Sequence, residues 1–322
     1  MHGEEQSTLD SLFLAQWEDR MWKGVIRYDV TASEIKVICG RRKFLAQFNE
    51  GWNVDYVSKP QENRVCSQGD LSFTKWMKHH EELLFCVASG EMTEPELIPS
   101  ATVPDGAVLI TINATPVEYG HVFLVPCGSD SLYQVLDARS LEMVGRVAVE
   151  INNSSFCLFY DSPAADTYHQ CFQGCYFPSP LPVELTAVNT FFRDGRRGMR
   201  ISAVTDYPIK TLLFESSQRF KIMVEVLVEI CSHLQGRRIP YNLLITNCGQ
   251  KIFLFLQHQN LANSRTLSAW ECGGYFLFRS RAEFDQATEE AIVEKLSAVS
   301  LDDEGFQGVK QLCCSIADKL SS

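Results

Sequence analysis

The sequence predicts an α+β protein of antiparallel sheets with helices packed on them, arranged as two similar halves that form one unit. Three observations predict it. Short β-type runs separated by polar or glycine breaks fill much of the chain, two pairs of them are joined as hairpins, and the order of elements in the first half recurs in the second.

Asp10 is placed to cap a first helix with Phe13, Trp17 and Met21 on one apolar stripe. Beyond Gly24, the runs 26–30, 35–38 and 44–48 read as short strands, and residues 51–69 as a surface excursion. Residues 108–113 form a strong strand that turns through Thr115-Pro116-Val117-Glu118-Tyr119-Gly120 and returns as 121–126. Ser140 caps a helix carrying Leu141, Val144 and Ala148, and strands 156–160 and 168–177 follow. The second half repeats this order. Strand 209–214 leads to a helix capped by Ser217 and ended by Gly236, then to strands 241–246 and 252–256 joined at Asn247-Cys248-Gly249. Strand 275–278 and a C-terminal helix with Phe306, Val309, Cys313, Ile316 and Leu320 buried complete the chain. The expected division is 1–190 and 191–322. The likeness between halves lies in element order alone.

At 322 residues with 45% hydrophobic content, the chain can bury a sizeable core. A net charge of −11 without a Lys/Arg stripe argues against a general nucleic-acid binder; Arg41-Arg42-Lys43 and Arg196-Arg197 read as turn clusters. No apolar run reaches membrane-span length, and the polar Met1-His2-Gly3-Glu4-Glu5 start is unlike a targeting peptide, so a cytoplasmic location is expected. The twelve cysteines read as thiols of a reducing compartment, with Cys39, Cys86, Cys157, Cys231 and Cys313 inside apolar patterns.

The chemistry concentrates in Tyr168-His169-Gln170-Cys171-Phe172-Gln173-Gly174-Cys175-Tyr176. On a strand, His169, Cys171, Gln173 and Cys175 share one face. A fourth ligand at sensible spacing is missing, so no metal site is expected, nor an organic cofactor.

This row resembles a histidine-triad motif, His-x-His-x-His/Gln, with the middle residue changed. Further stretches resemble the plant GDP-L-galactose phosphorylases: Trp17-Glu18-Asp19-Arg20-Met21, Arg27-Tyr28-Asp29-Val30-Thr31, Ala46-Gln47-Phe48-Asn49-Glu50-Gly51, Phe73-Thr74-Lys75, the hairpin 112–126, Pro182-Val183-Glu184 and Trp270-Glu271. The resemblance implies a histidine-triad fold of the galactose-1-phosphate uridylyltransferase type. It implies phosphorolysis of a GDP-hexose to hexose 1-phosphate and GDP, a step of ascorbate synthesis. The implied mechanism is ping-pong: a histidine attacks the phosphorus attached to guanosine, and inorganic phosphate then takes the GMP unit.

Residue by residue, His169 matches the first motif position and Gln173 the third, where the plant enzymes carry glutamine. Cys171 occupies the nucleophile position. Asn113, His121, Ser162 and Lys75 match substrate-binding positions; the alternatives are a hydrogen-bonded structural role for His121 and a solvated side chain for Lys75. The loop from Asp161 to Tyr168 lacks the family's glycine and carries Asp166, whose charge repels a diphosphate. Glu271-Cys272-Gly273-Gly274-Tyr275 replaces Glu-x-x-Gly-His, and Trp52 replaces an arginine. The departures gather on the phosphate site and spare the scaffold.

Three readings follow. The first is an impaired homologue that keeps a guanine-nucleotide pocket and acts by binding nucleotide or by pairing with an active relative. The second is an active enzyme using Cys171, with GDP-hexose and phosphate as its partners. A thiol titrating near ~8.5 then needs activation, and His169 lies about 6.6 Å along the strand. The third is an interaction module with no nucleotide role. Guanine-nucleotide binding separates the third from the others.

Overall fold

The computed structural model describes residues 6–51, 83–88, 106–127, 136–162, 172–195, 198–216, 220–258 and 266–321. The strands are β1 (Glu34–Val37), β2 (Leu45–Phe48), β3 (Leu83–Ala88), β4 (Ala107–Ile112), β5 (Tyr119–Pro126), β6 (Phe156–Asp161), β7 (Phe172–Tyr176), β8 (Val188–Asp194), β9 (Met199–Val204), β10 (Thr211–Ser216), β11 (Tyr241–Thr246), β12 (Lys251–Leu256) and β13 (Tyr275–Phe278). The helices are α1 (Thr8–Trp22), α2 (Ala138–Ile151), α3 (Phe220–Gly236), α4 (Ala269–Cys272), α5 (Arg281–Asp285), α6 (Glu289–Val299) and α7 (Asp303–Ser321).

Among the described residues, ten strands form one antiparallel sheet in the order β3-β4-β5-β7-β6-β11-β12-β10-β9-β8. Read inward from either edge, the order is the same: first, second, third, fifth and fourth strand of that half. In each half a long helix, α2 or α3, follows the third strand. The repetition extends to register. β3 shifts between Leu83 and Phe85 before Phe85 pairs with Ile110, and β8 shifts between Thr190 and Phe192 before Phe192 pairs with Ile201. The halves meet at β6 and β11, where Phe159 lies opposite Leu244. The α+β class with antiparallel sheets and two similar halves, expected from element order, is therefore present in the hydrogen bonding itself.

Strand alternation sorts the side chains onto two faces. Ile110, Leu124, Leu158, Tyr160, Phe172 and Leu243 pack beneath α1, α2, α3 and α7. Cys157, Phe159, Cys175, Leu244, Phe253 and Phe255 face the other way, where a small sheet of β1, β2 and β13 covers them together with Ile292 and Leu296 of α6. Burying each large apolar side chain contributes roughly 1.5–3 kcal/mol. β13 pairs with β2 in parallel, Tyr275 opposite Leu45, so a C-terminal strand closes a sheet begun near the N-terminus.

Local chemistry corrects several sequence expectations. Residues 26–30 form no strand: Asp29 turns the chain into a short 3-10 helix, accepting from the Thr31 N–H at 2.9 Å. Ser7, not Asp10, caps α1, and the buried Asp10 carboxylate accepts from the Tyr176 hydroxyl at 2.6 Å and Asn153 at 3.2 Å. Asp137, not Ser140, caps α2. Cys39 and Cys86 are exposed, whereas Cys157, Cys231 and Cys313 are buried. Leu320 is exposed. Arg41 pairs with Asp206, and Arg42 with Glu289 and the Asp206 carbonyl. The Ser217 cap, Arg196-Arg197 and most of the 51–69 excursion lie outside the described residues.

Candidate functional site

The site grows from the β4–β5 hairpin. Asn113 ends it on one side: its backbone N–H donates to the His121 carbonyl at 3.0 Å, and its Oδ1 accepts from the Thr115 N–H at 3.0 Å, making an Asx turn. Gly120 then adopts φ +70°, and the pairing of β5 with β7 slips between Tyr119 and Val122. A β-carbon at Gly120 would lie 2.6 Å from the Tyr176 ring. This bulge re-aims the next side chain, His121, inward.

His121 is fully buried. Its Nδ1 lies 2.8 Å from the Val117 N–H, and its Nε2 lies 3.0 Å from Oε1 of Gln173 on β7. Burial lowers its pKa to about 4, against the opposing effect of the Gln173 bond. Trp17 of α1 donates to the His121 carbonyl at 3.2 Å, and Gln47 of β2 donates to the Val117 carbonyl at 2.9 Å. The ring is thus met by Val117 and Gln173, while the backbone on either side of it is tethered to the small sheet and to α1.

Gln173 is half-buried. In the ladder it lies opposite Phe123 on β5 and Phe159 on β6, and the row continues through Leu244 and Phe253. Gln173 is the one polar side chain of those five. Trp270 of α4 stands edge-on over this floor, 5.7 Å from the Phe159 ring and 6.2 Å from His121.

Buried hydrogen bonds fix the position of Trp270. Asn242 of β11 and Gln257 both donate to the Leu267 carbonyl, at 2.5 and 3.0 Å, and Gln257 accepts from the Leu267 N–H at 3.0 Å. Asp161, at the end of β6, accepts from the Ala269 N–H at 2.7 Å. Removal from water pushes the Asp161 pKa up to about 7, with the Glu271 charge adding to it and the Ala269 bond opposing it. Glu271 closes the turn by accepting from Ser268 and pairs with Lys295 at 2.7 Å.

The structure brings Asn113, His121 and Gln173 together: the Asn113 amide nitrogen lies 3.4–3.5 Å from the imidazole nitrogens. Ser162 sits apart, its Oγ accepting from the Tyr241 N–H at 3.1 Å where β6 meets β11. His169, Cys171 and Lys75 lie outside the described residues. Cys175 is buried two residues beyond Gln173, and burial raises its thiol well above the usual cysteine range, leaving it unreactive. Sequence reasoning passed over Phe123, Phe159, Asp161, Asn242 and Gln257 as site builders. Asn242 had a signal, being a polar residue inside the apolar run Leu243-Leu244-Ile245 that follows Tyr241.

Two family models cover this architecture: the GDPGP1-like N-terminal domain matches residues 8–175 and the GDPGP1-like C-terminal domain residues 182–320. The chain belongs to the GDPGP1-like family of GDP-hexose phosphorylases. It is 34% identical to GDP-L-galactose phosphorylase 1 of Arabidopsis thaliana over 326 residues, covering 94% of this chain and 73% of that one. It is 23% identical to GDP-D-glucose phosphorylase 1 of Homo sapiens, covering 89% and 78%. Among solved structures it is similar to yeast Ap4A phosphorylase Apa2 in complex with Ap4A, with a TM-score of 0.58 at 13% identity, covering 91% of this chain and 96% of that one. At that identity the likeness shows a shared fold.

Proposed function

We propose that this chain is a GDP-hexose phosphorylase homologue that retains a guanine-nucleotide pocket and has lost most of the family's nucleotidyl transfer. The observation carrying this reading is the half-buried amide of Gln173, opposite the partly exposed Phe123 and bonded to His121, which the partly exposed Trp270 meets edge-on. Aromatic walls with one well-placed polar group suit a purine nucleotide, and an amide N–H is a fitting donor to a phosphate oxygen. The family reaction also needs a neutral imidazole nitrogen in line with the leaving oxygen. At that motif position the chain has Cys171. A thiol is mostly protonated at neutral pH unless activated, and the altered 161–168 loop adds Asp166 near the expected diphosphate.

In this reading His169 and Lys75 keep secondary contacts to phosphate, and Asn113 and Ser162 shape the pocket through the backbone they hold. Residues 1–190 carry the site, and residues 191–322 supply Trp270. We place the protein in the cytoplasm of a plant cell, in the setting of ascorbate synthesis, binding guanine nucleotide alone or beside an active relative. Calorimetric titration with GDP tests the reading: saturable binding is expected. Absence of binding up to millimolar GDP contradicts it and leaves the interaction module.

A further inference from the structure

The amide of Gln173 has two possible orientations, and only one offers N–H groups to a phosphate. We propose that His121 is a positioning residue, a neutral imidazole whose Nε2–H donates to Gln173 Oε1 and so turns the Gln173 NH2 group into the site. The inference rests on the nucleotide reading for its consequence but not for its geometry. A backbone N–H can only donate, so the Val117 N–H at 2.8 Å requires a lone pair on His121 Nδ1. The ring proton of a neutral imidazole is then on Nε2. Nε2 is a donor, and its partner 3.0 Å away must be the carbonyl oxygen of the Gln173 amide. The opposite amide orientation would set N–H against N–H. Asn113 reinforces the neutral state. Its Oδ1 is held by the Thr115 N–H, so its amide N–H groups face the ring at 3.4–3.5 Å, too long and too evenly placed for a strong bond and unfavourable to an added proton. The pieces that fix this arrangement come from separate elements: the Gly120 bulge, the Gln47 tether from the small sheet and the Trp17 bond from α1.

Two measurements test the assignment. Long-range 1H–15N correlation on the ligand-free protein at pH 7 is expected to show His121 as the Nε2–H tautomer. An Nδ1–H tautomer or an imidazolium overturns the proposal. GMP is then titrated calorimetrically into native protein, His121→Gln, His121→Asn, Gln173→Ala and the His121→Asn/Gln173→Ala double variant. A glutamine at 121 can still donate near the Nε2 position; asparagine reproduces only the acceptor that meets Val117. Expected affinities are within about threefold of native for His121→Gln, and about tenfold weaker for His121→Asn and for Gln173→Ala, the scale of one hydrogen bond to a charged group. The double variant should be no weaker than either single one, because both remove the same contact. Equal losses for His121→Gln and His121→Asn, or losses that multiply in the double variant, overturn the proposal. If native protein binds no GMP, the nucleotide reading fails by itself, and the tautomer decides the positioning role without any ligand.

Discussion

At the scale of single residues, His121 shows how burial turns a titratable group into a fixed one. Its folded pKa of about 4 lies below the ordinary 6.5. The unfolded chain therefore binds the proton more readily between those values, and the stabilisation present above pH 6.5 is lost as pH falls toward 4. The full difference is on the order of 3 kcal/mol. Asp161 has the opposite sign: its raised pKa of about 7 makes the fold less stable as pH rises from about 4 to 7. The two slopes overlap, so the His121 contribution is read as a difference. His121→Gln is expected to lose less stability than native protein between pH 7 and pH 4.5 in urea titrations. Parallel losses would contradict the assigned burial. The residue's place on a hairpin strand after a glycine was legible in the sequence. That both its nitrogens are engaged within the protein was not, because Gln173 and Val117 meet it through tertiary packing.

At the scale of elements, the turn before α4 is held by side chains from three places in the chain. Asn242, Gln257 and Asp161 satisfy backbone groups at Leu267 and Ala269 that would otherwise be buried without partners. Asn242→Ala leaves the Leu267 carbonyl with Gln257 alone. It is expected to cost about 1–3 kcal/mol, seen as a lower urea midpoint, and to increase solvent exposure of Trp270, seen as a red shift of its fluorescence. An unchanged midpoint would mean that Gln257 suffices. Strong apolar runs made β4, β5, β11 and β12 legible. β8 and β9 were missed: β8 is an edge strand with polar and exposed positions and no clean alternation, the pattern a loop also shows. The 26–30 run misled for the opposite reason: its apolar residues are real, but Asp29 offers the backbone a local partner that a strand cannot match.

At the scale of the molecule, the two halves share strand order, helix placement and the shifted register of their edge strands, yet few side chains. β7 carries Gln173 between Phe172 and Gly174, whereas β12 is apolar after Lys251. A ladder of backbone hydrogen bonds is indifferent to side chains as long as faces alternate correctly. That is why element order was readable and the matching register was not. The family likewise shows across both halves, in the models that match residues 8–175 and 182–320. The central claim is the proposed one: a retained scaffold in which Cys171 at the nucleophile position limits turnover. Its direct test is GDP release from GDP-L-galactose and phosphate by native protein and by Cys171→His. The claim predicts turnover that is at background for native protein and rises well above it for Cys171→His. Native turnover equal to or above that of Cys171→His would contradict it.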